Sequence, residues 1–403
     1  MAVIDLWYKM EPVIGQDGKP VVDSDGKPVK TRVPSKRHNR GRRWRVEVEG
    51  APTESFTKLP EARDREAEII SSMRSGRYVD PRDGRITVYE YAQQWLSTLV
   101  IGQVTSEKVE SFFRLHVDGT AIGDMSVADV RTSHVQAWVK DRSDILAGST
   151  LSTSYPYLVA MFARLDDDGV IAGTPCKRGV QLPGSDSDDK IIPTTEQVLS
   201  LDSELRSRFG PLALTAASTG LRASELFGLT RSQVDLKRQE INVIRQMKRT
   251  AKHGVHIGAP KTKTSRRCVE IPDGLVQPLR EHLSVRREPV RLWYRADRRE
   301  TKHREDEFDL VFRRPDGKPL HNGLMHYTWH RALERAGIDA DVGMHSLRHY
   351  FATVLIHGGA NVKTVQLALG HSTPTITMNT YLHDWPDAVD RTRNLVQSAL
   401  FGK

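Results

Sequence analysis

Between residues 85 and 183, apolar side chains recur at three- and four-residue spacing, the mark of amphipathic helices. Val88, Tyr91, Ala92, Trp95 and Leu96 form one such stripe, and Val109, Phe112, Phe113 and Leu115 form a second. Val135, Trp138 and Val139, then Leu158, Met161, Phe162 and Leu165, extend the pattern. Aromatics on stripes of this kind predict a core, so 85–183 reads as an all-α domain with no chemistry of its own. Upstream the period changes. Trp44-Arg45-Val46-Glu47-Val48 alternates like a strand, and residues 61–74 return to a helical pattern. This predicts a small α+β module over 1–80, closed by the punctuation Pro81-Arg82-Asp83-Gly84. Inside it, Asp17-Gly18-Lys19-Pro20-Val21 is echoed by Asp25-Gly26-Lys27-Pro28-Val29, whose Asp-Gly steps predict tight turns.

A polar, acidic, Pro-ended linker over 184–193 leads to Thr194-Thr195-Glu196-Gln197, a helix-capping sequence that opens a third domain over 190–403. There, Ala216-Ala217-Ser218-Thr219-Gly220 ends one helix, and Leu221-Arg222-Ala223-Ser224-Glu225-Leu226 begins the next. Arg222 sits at the turn, where a long cation can reach inward, with Glu225 placed to hold it. A basic β-hairpin is expected from Ile241-Asn242-Val243-Ile244-Arg245-Gln246, through a turn around Lys252-His253-Gly254, to the stretch 260–272. Residues 281–309 are densely charged and are expected to be a helix end plus an exposed insertion. From 387 to 403, Val389, Leu395, Val396, Ala399 and Leu400 predict a short helix, too short to stand alone. The expected fold class is therefore multidomain: a small α+β N-terminal module, an all-α domain, and a mainly α (α+β) third domain.

Charge changes this picture most. The 403 residues carry a net +9 with 38% hydrophobic content, a length that predicts two or three domains. No apolar run approaches the ~20 residues of a membrane helix. The N-terminus lacks the basic and apolar segments of a secretory signal. Cys176 and Cys268 are far apart and form no metal-ligand spacing, which predicts a reduced, cytoplasmic protein. An excess of cations fits a polyanionic partner, and no basic amphipathic anchor points to a membrane, so nucleic acid is the expected partner. From residue 30 to 46 there is no acidic residue. Lys36, Arg37, Arg40, Arg42, Arg43 and Arg45 of this run are the first DNA-binding candidates, and Lys263 in the basic hairpin is another. Eight unpaired like charges in one short tract repel unless an anion joins them.

Candidate chemistry lies near the C-terminus. In Met344-His345-Ser346-Leu347-Arg348-His349-Tyr350, His345 and Arg348 stand three residues apart and share a helix face. In the second stretch, Gly370 reads as a helix C-cap, Ser372 or Thr373 as the next N-cap, and Pro374 as a first-turn residue. Tyr381 follows seven residues, about two turns, after Pro374. His345, Arg348, His371 and Tyr381 suit attack on a phosphodiester, with a tyrosine oxygen as nucleophile and cations around the phosphate. A free tyrosine titrates near pH ~10, so such a nucleophile needs cations or a base beside it.

Taken in order, Thr219-Gly220-Leu221-Arg222-Ala223-Ser224-Glu225-Leu226, Pro260-Lys261-Thr262, His345-Ser346-Leu347-Arg348-His349, Leu369-Gly370-His371 and Tyr381 resemble the tyrosine recombinases, the phage-type integrases and their relatives. The resemblance covers roughly 190–403. It extends more loosely to a helical core-binding domain and a basic arm-binding module upstream. It implies that Arg222 and Arg348 clamp the scissile phosphate and that Lys261 protonates the departing 5′ hydroxyl. It further implies that His345 and His371 assist proton transfer and phosphate binding, and that Tyr381 attacks to leave a 3′-phosphotyrosyl bond. Lys261 and Lys263 would face the same side of a strand, and the hairpin register leaves Lys263 open for the same role. His349 is expected to be packing or a support behind the site residues, and Glu225 a support for Arg222. The covalent intermediate conserves bond energy, so no metal, ATP or other cofactor is expected. Implied partners are double-stranded DNA with core and arm sites, further protomers of a homotetramer joined through the 387–403 tail, and an excisionase or host DNA-bending protein. The implied setting is the cytoplasm of a bacterial host. A type IB topoisomerase-like nicking-resealing enzyme and a catalytically inactive DNA-binding regulator are the competing functions.

Overall fold

The structure, a computed structural model, describes residues 2–16, 18–74, 83–184, 191–260, 262–295, 303–381, 397 and 400. Two compact units divide the chain: one comprises 1–99 and 108–186, the other 100–107 and 187–403. Among the described residues no helix is long and apolar enough to cross a membrane.

The first unit holds two separate cores. One lies under a sheet of β1 (Ala2–Asp5), β4 (Trp44–Glu47) and β5 (Glu54–Phe56), with β4 central and antiparallel to both neighbours. Helix α1 (Leu59–Arg74) packs Ala62 and Ile69 against Val46 and Val48. Between β1 and β4, β2 (Tyr8–Pro12) and β3 (Lys30–Pro34) pair as an antiparallel ribbon. Two tight turns lie at its end, with Gly18 and Gly26 at φ +76° and +74°. Backbone bonds from Val13 to Val29, Val21 to Val13 and Val29 to Val21 close these turns into a ring.

The second core is all-helical: α2 (Val88–Thr98), α3 (Gln103–His116), α4 (Thr132–Ser143) and α5 (Gly148–Asp167). The periodic aromatics are its core, as the pattern predicts: Trp95, Phe112, Phe113, Trp138 and Phe162 are all buried. Leu115 is the exception and faces solvent. Thr87 and Glu90 exchange the two bonds of a capping box at the start of α2.

In the second unit, Thr194 and Gln197 make the predicted capping box for α6 (Thr195–Phe209). Next come α7 (Leu212–Thr219), α8 (Ala223–Phe227), β6 (Val234–Asp235), β7 (Glu240–Val243), β8 (Gln246–Thr250), β9 (Gly254–Gly258) and β10 (Arg267–Glu270). Beyond them run α9 (Asp273–Ser284), β11 (Val290–Arg295), β12 (His303–Phe308), α10 (Asn322–Arg335), α11 (Met344–His357), α12 (Val362–Leu369) and α13 (Pro374–Tyr381). A large core gathers α6 to α10, and a smaller one joins Ala352, Ile356, Val365, Leu369 and Tyr381.

Two expectations change here. The single basic hairpin is instead two sheets: β8 pairs with β9 around a turn near Lys252, while β7 pairs with β10 and β6. Residues 263–265 form one 3-10 turn closed by Ser265 N–H donating to the Thr262 carbonyl, so no strand governs the stretch. In the stretch 281–309 the expected helix end is that of α9, and the supposed insertion contributes β11 and β12 among the described residues. These extend the β8–β9 sheet, β11 running parallel to β9. Val290, Leu292 and Tyr294 alternate with exposed Arg291 and Trp293, so one face of β11 packs on the core, and Arg295 at its end is buried.

Candidate active site

The site is built where three helix ends meet one strand. Helix α7 ends at Gly220, which adopts φ +60°, ψ +21°. A Cβ there would sit 2.4 Å from the Phe351 ring, so glycine is required by both backbone and neighbour. Helix α12 ends the same way at Gly370. Arg348 on α11 ties both ends together: Nη1 donates to the Gly220 carbonyl and Nη2 to the Leu369 carbonyl, each at 2.7 Å. These carbonyls belong to helix C-termini, where partners are otherwise missing. Arg348 is only 1% exposed. Burial, with Arg222 and Arg267 adding like charge, pulls its guanidinium down to about 9.

Arg222 caps α8, its N–H donating to Glu225 Oε2 at 3.0 Å and its Nη1 to Oε1 at 2.9 Å. Glu225 is buried, and on its far side accepts from Arg267 Nη1 at 3.2 Å and Nη2 at 3.0 Å. Burial works to raise the Glu225 pKa, but Arg267 and then Arg222 outweigh it and hold the carboxyl below its ordinary value. Arg267 also donates Nε to the Ala368 carbonyl at 2.7 Å and Nη1 to the Ser265 carbonyl.

Counting donors separates these three arginines. A guanidinium carries five N–H donors. Arg267 spends Nε, Nη1 and Nη2 on protein acceptors and is 6% exposed at its side chain. Arg348 spends two and Arg222 one, leaving about three and four for a ligand. Two guanidiniums therefore share one carboxylate, the charge of Arg348 adds to theirs, and Arg222 and Arg348 retain donors for an anion.

His371 accepts or donates at Nδ1 to Thr377 Oγ1 at 2.8 Å. Its backbone is held from both sides by Gln366. Burial, followed by the charges of Arg348, Arg222, Arg267 and His345, drives its pKa to about 4. The imidazole is therefore neutral near pH 7. Tyr381, the last residue of α13, is 1% exposed and meets His349 Nδ1 through its hydroxyl at 2.8 Å. The His349 ring also meets His345 edge to face, centroids 4.7 Å apart.

The structure thus brings Arg222, Arg348, His345, His371 and Tyr381 into one electrostatic cluster. Lys261 and the side chain of Lys263 lie outside the described residues, as does nearly all of the 387–403 tail. Lys36, Arg37, Arg40 and Arg42 are exposed in the first unit. Arg43 is committed to Asp5 and lies against Trp7, Tyr8 and Trp44, and Arg45 pairs with Glu47. Sequence reasoning missed Arg267 and undervalued His349. For Arg267 the available signal was its strand register with the buried Val269; for His349 it was only adjacency to Arg348. Among the described residues no group of three His, Cys, Asp or Glu side chains is arranged to hold a metal.

Residues 196–387 match the family model described as the phage integrase family. The tyrosine recombinase XerC-like protein of Caldanaerobacter subterraneus subsp. tengcongensis is 28% identical over 345 residues, covering 81% of this chain and 86% of that protein. Tyrosine recombinase XerD of Corynebacterium glutamicum is 30% identical over 321 residues, covering 74% of this chain and 94% of the relative. Among solved structures, the Tn1549 transposon integrase in complex with transposon right end DNA superposes with a TM-score of 0.65 at 23% identity, covering 77% of this chain and 99% of that one. A lambda integrase tetramer bound to a Holliday junction gives 0.51 at 16% identity, covering 82% and 94%. The two solved structures share the fold, and the recombinase sequences share enough of their length to decide the family: this chain belongs to the tyrosine recombinases of the phage integrase family.

Proposed function

We propose that this recombinase cuts and rejoins double-stranded DNA at attachment sites through a 3′-phosphotyrosyl intermediate on Tyr381, integrating or excising a phage or mobile element. One observation carries the reading: the single carboxylate of Glu225 is shared by Arg222 and Arg267, the buried charge of Arg348 has only carbonyl partners, and Arg222 and Arg348 keep donors for an anion. A phosphodiester supplies the missing negative charge, and two guanidinium forks fit its non-bridging oxygens.

In the cleavage step the Tyr381 oxygen forms a bond to phosphorus as the bond to the 5′ oxygen breaks. The tyrosine proton passes to His349, whose Nδ1 already contacts the hydroxyl. A proton is returned to the leaving 5′ oxygen, the part assigned to Lys261, with Lys263 as the nearby alternative. His345 and His371 complete the phosphate's surroundings. His371 is neutral in the free protein and gains a proton more readily once phosphate offsets the neighbouring arginines. Rejoining runs the same steps backward, conserving one phosphodiester. Because Tyr381 is covered in this structure, it reaches phosphate only after its segment moves outward.

His349→Phe keeps a ring in place and removes the proton acceptor. The expected result is a loss of about 10²-fold in cleavage rate with unchanged DNA affinity. Unchanged cleavage in a single-turnover assay would reduce His349 to a latch on the buried tyrosine.

The domain reading has residues 1–80 contacting arm sites through Lys36, Arg37, Arg40, Arg42, Arg43 and Arg45, 85–183 holding one face of the core site, and 190–403 the other. Lambda integrase has been solved as a tetramer on a Holliday junction. A homotetramer with the 387–403 tail exchanged between protomers is the matching assembly here. An excisionase or host DNA-bending protein would act on it in a bacterial cytoplasm. Removing residues 1–80 is expected to abolish binding to arm sites and leave core binding within about twofold in a gel-shift titration. Equal loss at both sites would reject the division of labour. The proposal as a whole is tested by incubating the protein with a nicked core duplex in a metal-free chelating buffer. A covalent protein–DNA adduct is expected on a denaturing gel.

A further inference from the structure

A second basic site lies away from these residues. A cavity of about 560 Å³ opens in the second unit between the end of α6, the segment leading into β11, and a tight turn at 313–319. It is lined by Arg208, Arg287, Arg313 and Lys318, and among the described residues none of these four has an ion-pair partner. Two further lining cations are already neutralised: Arg314 pairs with Asp316 at 2.8 Å and Arg291 with Glu307 at 3.5 Å. Glu288 is the remaining lining carboxylate, and its backbone carbonyl, not its side chain, accepts from Arg313 Nη1.

Arg313 is the most buried of the four. It is 4% exposed, and its Nε is buried without an acceptor. A charged donor left in this state is destabilising unless a ligand completes it. Burial first, and then the charge of Arg287, lowers its pKa, and the neighbouring His282 is depressed by burial and the same arginines. The turn beside it, Asp316-Gly317-Lys318-Pro319, repeats the Asp-Gly-Lys-Pro sequence of the N-terminal ribbon, with Gly317 at φ +82°. That turn presents Lys318 at the cavity edge.

We propose that this cavity binds a small polyphosphate anion, inorganic pyrophosphate or the phosphates of a nucleotide, through Arg208, Arg287, Arg313 and Lys318. Two phosphoryl groups bring about three to four negative charges, at −1.5 to −2 each, against the four unpaired cations less the one carboxylate of Glu288. The volume lies within the range of small-ligand pockets. Position separates the site from the recombination chemistry. Arg208 lies on the last turn of α6, just before α7 begins, whereas Arg222 follows the opposite end of α7. Eight helical residues place those ends about 12 Å apart.

The test titrates the full-length protein with inorganic pyrophosphate at constant ionic strength by calorimetry, alongside Arg208→Gln/Arg287→Gln. Both replaced side chains are exposed, so folding is preserved, and equal melting temperatures without ligand check this. Saturable one-to-one binding, weakened at least tenfold in the double variant, is the expected result. Equal heats for the two proteins, or no saturable binding, would overturn the proposal. A salt-dependence series with duplex DNA separates the other source of phosphate. If pyrophosphate does not bind and the double variant lowers the salt slope by about two, these cations serve the DNA backbone and the small-anion site is rejected.

Discussion

Tyr381→Phe yields a folded protein that binds DNA as the parent does and forms no covalent adduct. Cleavage falls by about 10⁴-fold or more, the scale seen when a covalent nucleophile is removed. The structural cost is small. Tyr381 is buried against Ala352, Ile356, Val365 and Leu369, and phenylalanine fills the same space. The hydroxyl contact to His349 is lost, about 1 kcal/mol. Thermal melting should therefore move by a few degrees while single-turnover cleavage disappears. A cleavage-competent Tyr381→Phe protein would remove the nucleophile from this account.

Arg267→Ala is the change with the largest expected effect on stability. Arg267 holds Glu225 through two donors and caps the Ala368 and Ser265 carbonyls with others. Its removal leaves a buried carboxylate with Arg222 as its remaining cationic partner and strips the carbonyls of theirs. Breaking one side of a buried pair costs about 3–5 kcal/mol, and the surviving Arg222 contact places this case near the lower figure. The pH dependence follows from the carboxyl's lowered pKa. In the parent, this stabilisation is present above the ordinary glutamate pKa and fades as pH falls through the lowered folded value. Arg267→Ala should flatten that acid limb. The double variant Arg267→Met/Glu225→Met should be less destabilised than the sum of the single changes, by at least about 1 kcal/mol of coupling. Additive losses in urea titrations would mean the pair contributes little as a unit.

Local signals carried well from sequence to structure. The Thr194–Gln197 capping box, the left-handed Gly220 and Gly370 ends and the Pro374 start depend on a few neighbouring residues, and each is found. The aromatic stripes of 85–183 were legible for the same reason: period and bulk already imply a shared interior. Pairings between distant segments were not. Whether β9 meets β8 or β10, and that β11 joins β9 in parallel, depend on tertiary packing that alternation alone does not encode. The site shows the same division. Arg222, Arg348 and His371 sit in short recognisable strings, but Arg267 reaches Glu225 across 42 positions, and its strand register with Val269 marks it as inward-facing without naming its partner. His349 is expected to pack or to support the site residues, and the approach of α13 to α11 makes it the hydrogen-bond partner of Tyr381.

The most direct test of the central claim is the chemical identity of the trapped adduct. A nicked duplex carrying the core lets the short cleaved strand diffuse away, which prevents rejoining and accumulates the intermediate. Proteolysis followed by mass spectrometry then locates the nucleotide-bearing residue. The account predicts a single modified peptide whose phosphate joins the Tyr381 oxygen to a DNA 3′ end, formed in the presence of chelator. An adduct on any other residue, or none on a duplex the protein demonstrably binds, would contradict it.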